Sequence, residues 1–119
     1  MIQIDYSKDK LLTEFSHKTL EDRYLVGDEK SPQEGFARAA LAFADDEAHA
    51  QRLYDYASNL WFMFSTPVLS NGGTQRGLPI SCFLNYVEDS REGITGHYTE
   101  NAYLSSFGGG IGGSWSDVR

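Results

Sequence analysis

Apolar residues recur at helical spacing through the middle of this chain and condense into a short strand-like run further on. Phe36, Ala39, Ala40 and Phe43 stand at i, i+3, i+4 and i+7, which gives one buried helical face. Ser31-Pro32-Gln33-Glu34 precedes them as a helix start: Ser31 caps free N–H groups, Pro32 suits the first helical position, and Glu34 closes the box. The spacing predicts a helix ending near Phe43. A second helix is predicted from an Asp45 cap to about Phe64, with Leu53, Tyr56, Ala57, Leu60 and Phe64 as its stripe. Pro67 disfavours helical geometry at Thr66, so that helix stops there and the chain turns through Val68-Leu69-Ser70 into an Asn71-Gly72-Gly73 loop.

Beyond the loop, Ile80 to Val87 is an apolar, β-branched and aromatic run of strand length. Asp89 or Ser90 then caps a third helix reaching about Ser106, the cluster Gly108 to Gly113 ends it, and Ser114 to Arg119 begins a second strand. Residues 1–30 are polar and charge-mixed, with Ile2, Ile4 and Tyr6 alternating like a short strand. The pattern is a mainly helical part, 1–77, followed by a β-α unit, 78–119. A lone strand with a crossover helix leaves backbone groups unpaired along its edges, so more chain is expected to complete it.

Composition narrows the classes. The 119 residues suit one small domain, and 40% hydrophobic residues with seven each of Phe and Tyr argue for a folded chain. A formal net charge of −7 without a basic cluster excludes nucleic acid as the main partner. No apolar run is long enough to cross a bilayer, and the expectation is a soluble, cytoplasmic protein. The single cysteine, Cys82, cannot close an internal disulfide and reads as a thiol in a reducing compartment. His17, His49 and His97 are far apart, without metal-ligand spacing, and exposed or capping roles are the default for them. No metal or cofactor is expected on this chain.

The glycine run satisfies G-x-G-x-x-G through Gly108, Gly110 and Gly113, yet it follows a helix and precedes a strand, the reverse of a dinucleotide-binding fingerprint. Taken alone, Cys82 is a small buried hydrophobe, Thr66 a pre-proline turn residue, and Asp89-Ser90 a helix cap.

Thr66-Pro67, Ser81-Cys82, Asp89-Ser90 and the run Gly108 to Gly113 occur in register, after weaker matches in TLEDRYL and SPQEGFARAALAFA. On these motifs the chain resembles, from about Leu12 to Arg119, the large catalytic subunit of ribonucleotide reductase. The resemblance implies the helical N-terminal domain of that subunit (1–77) and the first β-α unit of its ten-stranded α/β barrel (78–119), incomplete here. It implies reduction of the ribose 2′-hydroxyl of ribonucleoside diphosphates, with Cys82 as one half of a redox pair whose partner lies downstream. Thr66, Ser81, Cys82 and Gly110 are the implied substrate contacts. Asp89, Ser90, Arg91 and Arg119 are the implied contacts to a deoxynucleotide effector.

The same resemblance implies partners: the rest of the large subunit, a radical-generating small subunit, thioredoxin or glutaredoxin as reductant, and dNTP or ATP effectors. The thiyl-forming cysteine and the tyrosine pair of radical transfer have no counterpart in this sequence, and neither does an N-terminal ATP cone. The chain is therefore expected to be inactive alone, as one piece of a split subunit or a truncated one. Two other readings are an adenosylcobalamin-dependent relative and a non-catalytic nucleotide-binding remnant that associates with a reductase.

Overall fold

A computed structural model describes all residues, Met1–Arg119, and the chain divides into two compact units, Met1–Pro79 and Ile80–Arg119. The first unit holds a 3-10 helix (Tyr6–Leu11) and four α-helices: α1 (Glu14–Arg23), α2 (Pro32–Phe43), α3 (Glu47–Ser58) and α4 (Thr66–Asn71). The second holds β1 (Cys82–Tyr86), α5 (Arg91–Ser106) and β2 (Gly110–Ser114).

Helix α2 begins where the sequence places it. Ser31 caps it, its Oγ accepting from Gln33 N at 3.1 Å, and Glu34 accepts from Lys30 N at 2.6 Å. Phe36, Ala39 and Ala40 are fully buried, but Phe43 at the end of the predicted stripe is 47% exposed. Helix α3 departs further from expectation. Its cap is Asp46, whose Oδ1 accepts from His49 N at 2.7 Å, while the predicted cap Asp45 instead donates its own N–H to His49 Nδ1 at 3.2 Å. The buried face is Ala50, Tyr54, Ala57 and Ser58, because Tyr56 and Leu60 turn to solvent.

That helix ends at Ser58, well before Phe64. Trp61 N bonds Tyr56 O and Leu60 N bonds Ala57 O, a Schellman closure that forces Leu60 to φ +61°. A left-handed leucine costs about 1 kcal/mol, so no local preference marks this stop in the sequence. Pro67 also acts otherwise than predicted. It sits in the first turn of α4, where its missing N–H is not needed, and Thr66 opens the helix rather than ending one.

The N-terminal Ile2 and Ile4 join the core, but as an extended segment and not a strand. Gln51 takes the place of a strand neighbour: its Oε1 accepts from Gln3 N at 2.7 Å and its Nε2 donates to Gln3 O at 3.1 Å. Tyr54 closes the same region from within. Its hydroxyl donates to Gln33 Oε1 (3.1 Å) and accepts from Asp5 N (2.8 Å), and burial pushes its ionisation above the ordinary tyrosine value. Gln33 is fully buried and donates to Asp9 Oδ1 at 2.9 Å, so every polar atom of this inserted side chain is satisfied.

One cation joins the helices of the first unit. Arg38 on α2 pairs with Glu29 (Nε to Oε1, 2.7 Å) and donates from its remaining nitrogens to three carbonyls: Tyr24 (3.1 Å), Leu69 (3.0 Å) and Gly72 (2.7 Å). The guanidinium thereby fastens the end of α1 and both turns of α4 to α2.

In the second unit the two strands are parallel, with Cys82 opposite Gly110 and Tyr86 opposite Ser114. Helix α5 is the crossover between them, capped by Ser90, whose Oγ accepts from Gly93 N at 2.9 Å. It ends in a second Schellman closure, with Gly108 at φ +79° and Gly109 N bonded to Leu104 O. The sequence places the second strand at Ser114 to Arg119; it is instead the glycine run itself, Gly110–Ser114. The glycines escape β-propensity rules because Gly113 must lie against α5, where an added Cβ would stand 2.5 Å from His97 Cε1.

Two outcomes are expected. Arg38→Ala leaves Glu29 and three carbonyls without their partner and should lower stability by about 3 kcal/mol in chemical denaturation. Gly113→Ala should destabilise the second unit by roughly 1–3 kcal/mol through overpacking against His97, whereas Gly110→Ala, whose Cβ would meet only Ser81 O at 3.5 Å, should leave the melting unchanged.

Candidate functional site

Alternation along the strands divides the second unit into two faces. Phe83, Asn85, Ile111 and Gly113 turn toward α5, while Cys82, Leu84, Tyr86, Gly110, Gly112 and Ser114 share the opposite face. That open face is unusual: Leu84 is 90% exposed, Cys82 is an exposed free thiol, and the facing strand offers bare backbone at Gly110 and Gly112. The expectation that Cys82 on its own is a small buried hydrophobe is thus corrected by its position at the strand's first residue.

Three of the predicted substrate residues meet at one end of the strand pair. Gly110 lies opposite Cys82, and its N–H donates to Ser81 O at 2.6 Å. The predicted effector residues gather at the other end. Asp89 follows β1 and forms an ion pair with Arg119, Ser90 caps α5, and Arg91 is its first residue. The length of the strands holds the two groups roughly 13 Å apart. Thr66 belongs to the first unit, where its Oγ1 lies 3.3 Å from the Tyr24 hydroxyl at the rim of an apolar cavity of 340 Å³ lined by Leu20, Met63, Phe64 and Leu69.

A strap returns along this second end of the strands. Trp115 packs its ring edge-on against His97 at 5.1 Å, Val118 N bonds Trp115 O, and Tyr86 donates its hydroxyl to Asp117 Oδ2 at 2.8 Å. The hydrogen bond to Asp117 raises the ionisation of Tyr86 above the ordinary value. Sequence reasoning missed this strap, and it missed His97, which is buried at 7% exposure and not exposed or capping. The available signal was the i, i+4 pair His97 and Asn101 on α5 together with a polar Asn85 at an inward strand position.

The Tyr86 bond gives a pH prediction with a definite sign. A phenol with a raised folded value keeps its stabilising bond below the ordinary value of about 10 and loses it as pH rises through the raised one. Tyrosinate absorbance of Tyr86 should therefore emerge late in an alkaline titration, and Asp117→Asn should bring it back toward the ordinary range.

Known proteins resemble this chain in sequence and in fold. Residues 10–77 match the family model of the ribonucleotide reductase all-alpha domain. The chain is 44% identical over 111 residues to the ribonucleoside-diphosphate reductase large subunit of Invertebrate iridescent virus 6, covering 93% of the chain and 12% of that protein. It is 50% identical over 113 residues to the large subunit of Invertebrate iridescent virus 3, covering 94% of the chain and 18% of the relative. Among solved structures, the Actinobacillus ureae class Id ribonucleotide reductase alpha subunit superposes with a TM-score of 0.75 at 32% identity, over 98% of this chain and 22% of that one. The chain thus spans less than a fifth of the length of these viral relatives. No helix is long and apolar enough to cross a membrane. With the family model matching more than half of its length, the chain belongs to the ribonucleotide reductase large-subunit family, of which it carries the all-alpha domain and a small parallel two-stranded sheet.

Proposed function

We propose that this chain acts as part of a ribonucleoside-diphosphate reductase large subunit, supplying one wall of the substrate site and a contact surface for the specificity effector. The observation that carries the reading is the pairing of an exposed thiol, Cys82, with a backbone-only position, Gly110, on the open face of the strands. A thiol that exchanges electrons must be reachable, and a sugar can approach peptide backbone closely only where no Cβ intervenes.

In the reaction proposed, the ribose 2′-hydroxyl leaves as water and hydrogen takes its place. The two electrons come from a pair of thiols, Cys82 and a second cysteine from the rest of the subunit, which become a disulfide. Thioredoxin or glutaredoxin reduces that disulfide for the next cycle. This chain's own residues do three things: Cys82 presents its sulfur, Gly110 and Gly112 leave room for the sugar, and Ser81 and Thr66 offer hydroxyls to ribose and phosphate. A radical source, taken to be a metal-containing small subunit, initiates the chemistry when present.

At the other end, Asp89, Ser90, Arg91 and Arg119 are the proposed effector contacts. Arg119 offers a bidentate donor for phosphate, and Asp89 an acceptor for sugar hydroxyls. The strands between them form the start of the α/β barrel in this reading, residues 78–119, following the helical domain, 1–77.

Reconstitution tests the proposal. The chain is combined with a polypeptide supplying the remainder of the large subunit, a small subunit and thioredoxin, and cytidine diphosphate reduction is followed. Cys82→Ser should reduce turnover to background, and Gly110→Val should raise KM for the diphosphate at least about tenfold by filling the space above the backbone. Full thioredoxin-coupled turnover by Cys82→Ser would end the redox assignment.

A further inference from the structure

Two buried polar atoms of the second unit have no hydrogen-bond partner, Asn85 Oδ1 and His97 Nδ1. Each belongs to a side chain whose other polar atom joins a chain of hydrogen bonds that starts at the surface. Asn85 Nδ2 donates to Glu100 Oε2 at 3.1 Å and to Asn101 Oδ1 at 3.1 Å, and Asn101 Nδ2 lies 3.0 Å from His97 Nε2.

Each orientation follows from the one before it. An ionised carboxylate only accepts, so Asn85 must turn its nitrogen toward Glu100. Reversing that amide would set oxygen against oxygen. Asn101 must then face Asn85 with its oxygen, which turns its own NH₂ group toward His97. The His97 Nε2 has to be the lone-pair nitrogen, and the proton of the neutral ring sits on Nδ1. The exposed Glu100 thereby selects the tautomer of a histidine that is 7% exposed.

The ring so fixed is the surface on which the glycine strand rests. Gly113 pairs in register with Asn85, and a Cβ there would stand 2.5 Å from His97 Cε1 and 3.2 Å from both Asn85 Oδ1 and His97 Nε2. Trp115 packs edge-on against the same ring.

We propose that Glu100, Asn85, Asn101 and His97 form a directional relay that locks His97 as the Nδ1–H tautomer and makes it a positioning residue for β2. By seating Gly113, it holds Gly110 and Gly112 in register on the opposite face, beside Cys82. Its consequence for nucleotide binding rests on the function proposed above; the relay itself does not.

Nitrogen-15 NMR of the imidazoles in the complete chain tests it. His97 should show a protonated Nδ1 and a lone-pair Nε2. Glu100→Lys, a surface change that offers Asn85 a donor in place of an acceptor, should reverse the relay and move the proton to Nε2. An Nε2–H ring in the unaltered chain, or an unchanged tautomer in Glu100→Lys, would overturn the relay. Positioning is read from amide exchange at Gly110 and Val87, which donate to Ser81 O and Ser114 O at the two ends of the ladder. His97→Phe should speed exchange at both by at least about tenfold, and His97→Gln, which restores an acceptor at the reach of Nε2, should return most of the protection. Equal protection in His97→Phe would refute the positioning role. Titration with cytidine diphosphate separates the two ideas. If the chain assembled with the remainder of the subunit does not bind it while the tautomer and exchange results hold, the nucleotide reading fails and the relay stands.

Discussion

Parallel strands cannot be joined by a tight turn, and that constraint organises everything in the second unit. The chain leaves β1 at Tyr86 and must return to its starting end before it can lay down β2, which the sixteen residues of α5 accomplish. The return puts the first residue of β2, Gly110, against the first residue of β1, Cys82. It also leaves the cap of α5 and the strap after β2 at the far end, where Asp89 and Arg119 pair. Two chemically distinct ends thus arise from one topological requirement. A five-residue strand between them sets how far apart a reacting sugar and a regulating nucleotide would lie.

The first unit meets a different problem, since its short helices expose many backbone carbonyls at their ends. Arg38 answers it by spending all of its nitrogens inward, on Glu29 and on the carbonyls of Tyr24, Leu69 and Gly72. A lysine could not replace it, because one ammonium cannot reach a carboxylate and three carbonyls set around a planar fork. Helix α4, with Thr66 at its start, is too short to persist by propensity and depends on this clamp and on Leu69 in the core. Gly72 and Gly73 belong to the same joint: a Cβ at either would strike Val68 O or the Arg38 side chain.

Much of this was legible in the sequence wherever local chemistry decides the outcome. The Ser31-Pro32 start of α2, the Ser90 cap of α5, the strand around Cys82 and the helix-ending Gly108 all rest on caps, periodicity or a left-handed glycine, which act within a few residues. The failures share a cause in tertiary contact. Leu60 ends α3 against its own preference, Pro67 opens a helix it seemed to forbid, and α1 follows a Thr13 cap in a polar stretch with little apolar periodicity. The glycine strand is the sharpest case, because its conformation is imposed by pairing with β1 and by the His97 ring and by nothing in the residues themselves. Of the site, the cysteine, the glycines and the Asp89-Ser90 pair were visible as motifs, while the buried His97 and the half-buried Asn85 and Asn101 behind them were not, since a polar residue announces its burial only through its partners.

The most direct measurement is a pair of nucleotide titrations of the chain, assembled with the remainder of the large subunit, followed by the chain's amide NMR. A ribonucleoside diphosphate should perturb Ser81, Cys82, Gly110 and Gly112, and a deoxynucleoside triphosphate should perturb Asp89, Ser90, Arg91 and Arg119, each leaving the opposite end of the strands unmoved. Shifts from both nucleotides at a single end, or from neither at any of these residues, would contradict the division of the strand pair into a substrate end and an effector end.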